Sequence, residues 1–334
     1  MKLIKFTMLL LICLVLSACS NSSVRPKDIS NISDDIGYPV TVNNYNSDRS
    51  RTLLKFYNKP KRVIANQQNT IETLLALQED KAIIAAACTS NHTTEFLSKY
   101  KARAEKLPAL SRHDFDLETA LMLYPDFIVG WQSTFSNRAL RSTEFWRNRG
   151  VNTYIVENSN SILPVGRVED EYIFINNMGK IFHKEALAQE MIQEMKAEIA
   201  DAVEKSKNRD KQNVLIIETQ GNNIVVYGKN KLGGDMVTKL GGSIMECGSR
   251  IGAENLIQLN PNVIFVVCIG WQEDAQACVD RIINNKAYRS IKAIKNRRVY
   301  AIPLMYMYAS ATRTLDGIRV FKQGLYPDVN GEKE

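Results

Sequence analysis

The sequence predicts an α/β protein built as two related lobes joined by a long helix, with a ligand cleft between them. One phrase occurs twice. Glu118-Thr-Ala-Leu-Met-Leu-Tyr-Pro125 leads through an apolar run to Gly130-Trp131-Gln132, and Glu254-Asn-Leu-Ile-Gln-Leu-Asn-Pro261 leads through another to Gly270-Trp271-Gln272. Closely spaced apolar residues, a Pro break and an apolar run read as helix, turn and buried strand. Around each copy strands alternate with helices, the pattern of a parallel sheet covered on both faces. Between the copies lies a long helical stretch. Each lobe thus offers a Trp just past the carboxyl end of a strand, where ligands sit in open α/β sheets. The second copy has a longer span between Pro and Trp, so the symmetry is approximate.

In chain order, Tyr38 to Val42 and Thr52 to Tyr57 suggest a small hairpin. Lys61 to Ala65 reads as the first body strand. Thr70 to Leu77 reads as a helix capped by Thr70 or Asn69. Ala82 to Ala87 is a strand, His92 to Tyr100 a helix, Leu117 to Leu123 and Phe127 to Val129 the first repeat. Thr143 to Arg149 is a helix and Asn152 to Val156 a strand. Glu169 to Phe182 is a helix. Lys184 to Ser206 is a second, with Leu187, Met191, Met195, Ile199 and Val203 every four residues; at ~1.5 Å per residue it spans roughly 35 Å, enough for a strut between lobes. The second lobe follows with strands at Asn213 to Glu218 and Asn223 to Tyr227, a helix at Gly233 to Leu240 and the second repeat. A helix at Tyr288 to Ile294, a strand at Arg298 to Ile302 and a closing helix at Thr314 to Gln323 complete it.

The chain has 334 residues, 45% hydrophobic and 24% charged, a globular composition with room for two domains. Lys2 and Lys5 precede an apolar stretch, Met8 to Leu16, far shorter than the ~20 residues that span a bilayer. Leu16-Ser17-Ala18-Cys19 then resembles the bacterial lipoprotein box, which implies cleavage before Cys19 and a diacylglycerol on its thiol. An ordinary secretory signal with an incidental Cys is the other reading. Residues 1–18 are accordingly a signal, and 19–58, polar and rich in Asn and Ser, a tether and extension. The remaining basic excess is mild and scattered. It suits anionic small ligands or an anionic surface and forms no nucleic-acid stripe. Cys88 and Cys268 lie in apolar runs and read as small buried residues. The absence of a C-x-x-C pair argues against a thiolate zinc site.

The ordered motifs resemble the solute-binding lipoproteins of ABC importers for iron complexes, haem and cobalamin. Pro60-Lys-Arg-Val-Ile-Ala with Thr70-Ile-Glu-Thr-Leu-Leu-Ala-Leu looks like the opening strand and helix of that family. The segments at Asp116 to Asp126 and Ala253 to Asn262 look like its two Glu…Leu-x-Pro segments. Lys295 to Pro303 with Ala309 to Gly317 looks like its closing strand and helix. The resemblance covers about residues 59–327. It implies two Rossmann-like lobes, 59–166 and 208–327, joined by linker helices at 167–207. It also implies that Glu118 and Glu254, one per lobe, dock onto basic residues of a permease dimer. As residues alone, they are equally N-terminal helix acids facing the macrodipole.

Loops after strand ends nominate the ligand contacts: Gln67, Gln68, His92, Arg112, His113, Trp131, Tyr227, Trp271, Tyr306, Tyr308 and Arg313. Trp131 and Trp271 offer flat apolar faces with an N–H handle, suited to a siderophore, a tetrapyrrole or a corrin, or else plug the cores of their lobes. Arg112 and Arg313 can grip carboxylates or anionic chelate oxygens; an ion pair with Asp316 is the plainer role for Arg313. His92 and His113 can ligate haem iron or a metal chelate, while His183, between the linker helices, reads as surface. Tyr306 and Tyr308 either ligate or pack against the closing helix. A bare-metal site needs more converging ligands than these.

No G-x-S-x-G, G-x-x-x-x-G-K-[ST] or G-x-G-x-x-G is present, so hydrolase and nucleotide chemistry have no cradle. The expectation is a monomeric, non-enzymatic receptor without a cofactor, lipid-anchored on the extracytoplasmic face of the cell membrane. It would capture a ferric siderophore, with cobalamin or haem as the alternative, and deliver it to an ABC permease. An exported lipoprotein hydrolase or a surface adhesin is the rival class.

Overall fold

A computed structural model describes residues 36–88, 96–111, 113–160, 162–221, 223–269 and 274–327. The hairpin is present as β1 (Val40–Tyr45) and β2 (Arg51–Phe56), paired antiparallel. The first sheet holds β3 (Val63–Asn66), β4 (Ile83–Ala87), β5 (Leu110–Ser111), β6 (Phe127–Gly130) and β7 (Asn152–Ile155). Its order is β5-β4-β3-β6-β7 and every neighbour is parallel. Helices α1 (Gln68–Ala76), α2 (Ser98–Ala104), α3 (Leu117–Met122) and α4 (Thr143–Arg147) connect the strands. Two consecutive helices follow, α5 (Val168–Phe182) and α6 (Glu185–Ser206).

The second sheet contains β8 (Asn213–Gln220), β9 (Asn223–Val226), β10 (Ser243–Ile244), β11 (Arg250–Ile251), β12 (Val263–Cys268) and β13 (Val299–Pro303). Its order is β11-β9-β8-β12-β13, with β10 also on β8. The pairs β8–β12 and β12–β13 are parallel, and β8–β9 is antiparallel. Helices α7 (Leu232–Lys239), α8 (Ala253–Leu259), α9 (Ala275–Ile283), α10 (Lys292–Lys295) and α11 (Thr314–Leu325) surround it.

Both sheets are covered on both faces, and the strand sequences show why. Side chains alternate faces along a strand. Val63 and Ala65 of β3 and Phe127 and Val129 of β6 enter a central core with α5 and α6, while Ile64 and Ile128 enter an outer core around Phe135 and Trp146. In the second sheet Val214, Ile216 and Phe265 join the same central core, and Leu215, Ile217, Ile264 and Val266 enter an outer one. One continuous apolar core thus runs from lobe to lobe, and the described residues from Gly37 onward pack as one unit. Helices α5 and α6 lie so close that a Cβ on Gly179 would meet the Ala188 Cβ at 2.6 Å. Salt bridges from Arg319 to Glu194 and Glu198, and from Lys322 to Glu198 and Asp201, bind α11 to α6.

Several expectations need correction. The four-residue stripe on α6 holds only in part: Met195 is buried and Leu187, Met191 and Ile199 are half-buried against the core, but the fully buried line runs beside it. Ala188, Ile192, Met195 and Ala202 are buried, whereas Val203 is 41% exposed. At 3.6 residues per turn, each four-residue step drifts about 40°, so such a stripe cannot hold one face over five positions. Neither Thr70 nor Asn69 caps α1. The chain turns at Gln67, with φ 84, and the helix begins at once; Thr70 Oγ1 donates instead to the carbonyls of Asn66 and Gln67. Helix α2 runs Ser98–Ala104, beyond the expected span, whose first residues lie outside those described. The expected helix at Tyr288 to Ile294 is a 3-10 turn, Lys286–Tyr288, and a separate α10, because Asn260 Oδ1 accepts from the Lys292 N–H at 2.8 Å and restarts the helix there. Helix α9, capped by Asp274, was not anticipated.

Candidate binding cleft

In the first sheet the strand order reverses between β3 and β6, one connection leading toward β4 and the other toward β7. The carboxyl ends of β3 and β6 therefore flank the switch point of an open α/β sheet, its natural ligand position. Asn66 ends β3 with Gln67 and Gln68 directly after it, and Trp131 follows β6. Trp131 Nε1 donates to Asn69 Oδ1 of α1 at 3.0 Å, which fixes the indole across that point. Gly130 is required before it: a Cβ there would meet Thr134 Oγ1 at 2.7 Å.

The second lobe approaches the same place through residues 304–313. The Tyr308 ring stands edge-on to Trp131, centroids 5.5 Å apart, and its hydroxyl accepts the Asn160 N–H at 3.0 Å. Both aromatic residues are half-buried. Helix α1 is buried to an unusual degree for its polarity, including Gln68, Asn69, Thr70, Glu72 and Thr73, because the segment preceding α11 lies against it. Glu72, fully buried, receives Arg313 through Nε on Oε2 at 2.6 Å and Nη2 on Oε1 at 2.7 Å. Leu97 N–H adds a third bond to Oε1 at 2.9 Å. This two-pronged pair, one partner per lobe, is the strongest polar link across the seam.

A second link joins α5 to the same segment. Glu171 accepts from the Ala311 N–H at 2.6 Å and from Asn158 Nδ2 at 2.8 Å, and burial pushes its carboxyl up to about 7. Backbone strain gathers here as well. Gln67, Ala309 and Ala311 all have positive φ, at 84°, 43° and 47°, conformations that cost of order 1–3 kcal/mol each and cluster at functional sites. Buried polar atoms without a hydrogen-bond partner also lie at the seam, among them both side-chain atoms of Asn66, Asn69 Nδ2 and Thr312 Oγ1. One inter-lobe cavity, lined by Asn158, Tyr227, Met307 and Tyr308, measures about 30 Å³, too small for a chelate.

The structure brings Gln67, Gln68, Trp131, Tyr306, Tyr308 and Tyr227 toward the facing strand ends of the two lobes. Tyr227 is half-buried and donates to Glu218 Oε2 at 2.6 Å; burial and that bond push its phenol far up, so it stays a neutral donor. Arg313 departs from expectation. It is 4% exposed and paired with Glu72, while its guanidinium lies 5.8 Å from the Tyr306 ring. His113 is exposed in the loop after β5. His92, Arg112 and Trp271 lie outside the described residues. His183 is exposed and edge-on to Tyr38. Among the described residues, no group of three His, Cys, Asp or Glu side chains is placed to hold a metal ion.

Glu118 and Glu254 occupy matching places. Each is the second residue of its helix, α3 and α8, and each is exposed. The surfaces beyond them differ. Met122 and Tyr124 are 70% and 78% exposed on the first lobe, where the second has Gln258 and Asn260.

The profile described as periplasmic binding protein matches residues 63–304. The chain belongs to the periplasmic binding protein family. A crystal structure of a periplasmic binding protein from Veillonella parvula DSM 2008 is 30% identical, covers 87% of this chain and 92% of its own, and superposes with a TM-score of 0.83. Two relatives come from Bacillus subtilis (strain 168). An uncharacterized ABC transporter substrate-binding lipoprotein, YvrC, is 21% identical and covers 96% of each chain. The petrobactin-binding protein YclQ is 24% identical and covers 92% of this chain and 93% of its own. As in its family, the fold is two α/β lobes, and the role of the family is substrate binding.

Residues that sequence reasoning missed are Asn69, Glu72 and Glu218. Glu72 had a signal: it sits where α1 turns its apolar residues inward, so a carboxylate at that position needs a buried cation.

Proposed function

We propose that this chain is the membrane-anchored substrate-binding protein of an ABC importer, which captures a ferric siderophore between its lobes and delivers it to the permease. The observation that carries the reading is the aromatic and neutral-donor lining at the switch point: Trp131, oriented by Asn69, faces Tyr308 of the other lobe, with Gln67, Gln68 and Tyr227 nearby. A chelate presents flat apolar faces and a rim of oxygen acceptors; Trp131 and Tyr308 supply surface for the one, and the Tyr308 hydroxyl, whose oxygen accepts the Asn160 N–H, keeps its hydrogen for the other. The petrobactin-binding relative supports this class of cargo, and YvrC supports the lipoprotein and transporter assignments.

In this reading residues 59–166 and 208–327 are the lobes and 167–207 the linker. Cys19 carries the lipid on the extracytoplasmic face. Glu118 and Glu254 engage basic residues of the permease, which twin exposed carboxylates at equivalent helix starts suit. The protein binds and releases and performs no chemistry, as a monomer. The shared core with α5 and α6 favours a modest hinge over wide closure.

The test is retention of iron-radiolabelled chelates by the purified protein, using catecholate and hydroxamate siderophores, with haemin and cobalamin in parallel. Micromolar retention of a ferric siderophore supports the reading. Retention of cobalamin or haemin alone overturns the cargo, and retention of none overturns the role.

A further inference from the structure

We propose that a cavity beside α5, apart from the inter-lobe seam, is a second binding site, and that its ligand is a small oxyanion. The cavity measures about 460 Å³, within the range of small-molecule sites. Its walls are β1, Arg51 of β2, Glu157 just past β7 and the Ile173 to Lys180 face of α5. Asn158 lines the inter-lobe cavity and its neighbour Glu157 lines this one, so the chain after β7 divides the two.

The floor is built and held. Asn44 is clamped on the Ile155 backbone, with Nδ2 donating to its carbonyl and Oδ1 accepting its N–H, both at 2.8 Å. Asn177 Nδ2 donates to Tyr154 Oη at 2.8 Å, and that hydroxyl donates to Glu157 Oε1 at 2.5 Å. Glu157 is 2% exposed, and its other oxygen, Oε2, has no hydrogen-bond partner. A buried polar group left so costs ~1–3 kcal/mol, which a ligand here would remove.

The character of the ligand follows from the donors. Burial pushes Glu157 up to about 8, so near neutrality its carboxyl is uncharged and can present an O–H. Arg51 and Lys180 stand exposed at the rim. Asn176 spends its Oδ1 on Gln189 Nε2, which leaves it a donor. Burial, with the nearby Glu157, raises Tyr45, keeping its hydroxyl protonated. Glu157 is the only acid among the residues lining the cavity; Asp170 and Glu171 of α5 stand behind it, outside the lining, and add to the rise of its carboxyl. Two cations and several neutral donors around one recess select an acceptor-rich anion and reject a cation.

The experiment is calorimetric titration of the full chain with inorganic phosphate and with citrate at neutral pH. Saturable binding of either is expected at sub-millimolar concentration. Arg51→Ala and Lys180→Ala, both at exposed positions, should each weaken it about tenfold, and together abolish it. Glu157→Gln keeps a donor in place, so citrate binding should survive and lose the weakening wild type shows as Glu157 ionises above pH 8. Binding should be the same with the siderophore cleft occupied, so the result stands whatever the cargo. Absence of binding by both anions at millimolar concentration overturns the site. So does binding that the Arg51/Lys180 double variant leaves unchanged, or that the cleft cargo displaces.

Discussion

Replacing Arg313 by Met removes one partner of the Glu72 pair with little change in volume. It leaves the Glu72 carboxylate fully buried, with the Leu97 N–H its remaining bond shown here. Breaking a buried pair from one side costs about 3–5 kcal/mol, because the surviving charge has no water to return to. For a chain of this size that lowers the melting temperature by roughly 10 °C. The double variant Glu72→Gln/Arg313→Met has no charge to strand and should recover most of the loss. Urea unfolding of wild type, both single variants and the double variant closes the cycle, and the coupling should exceed about 2 kcal/mol. Arg313→Met within ~0.5 kcal/mol of wild type, or a double variant as unstable as the sum of the singles, would refute the claim that this pair ties the lobes.

Other predictions follow from the same geometry. Burial lifts Glu157 to about 8 and Glu171 to about 7, above the ordinary 4.5, so the fold keeps protons that the unfolded chain has released. That contribution is complete below about pH 4.5 and is lost as pH rises through 7 and 8, so urea resistance should fall from pH 5 to pH 8.5 by several kcal/mol. Glu157→Gln should flatten part of this slope; a wild-type profile that rises over the interval would contradict it. Gly130→Ala forces a Cβ onto Thr134 and should cost about 1–3 kcal/mol by urea unfolding; Thr134→Ser should not relieve all of it, because the Thr134 Cβ also lies at 3.0 Å. Glu118→Ala with Glu254→Ala should leave cargo affinity intact while abolishing cargo uptake by cells, and normal uptake would remove the docking assignment.

Much of the fold was legible because its strands are apolar runs bounded by breaks, and the duplicated phrase marks equivalent helix–strand units, α3–β6 and α8–β12. Short or irregular pieces were not. Helix α9 carries Cys278 and Ile282 inward behind an Asp274 cap, a pattern too brief to stand out beside the repeat. The break before α10 depends on Asn260, far away in sequence, so local propensity pointed to one helix. At the cleft, Trp131 was legible because it follows a strand end. The fate of Arg313 was not, since its partner lies 241 positions away and only tertiary packing brings α1 beside it. Glu157 reads in sequence as an ordinary polar residue after a strand; its burial comes from β1 and α5 folding over it.

The most direct test of the account is intrinsic fluorescence titrated with a ferric siderophore, in wild type and in Trp131→Phe. Trp146 is buried in the outer core and serves as an internal standard. Saturable quenching at micromolar chelate, diminished at least tenfold in affinity or largely lost in amplitude in Trp131→Phe, is the predicted result. Quenching of equal amplitude and affinity in the variant would place the cargo away from the β3–β6 switch point and contradict the account.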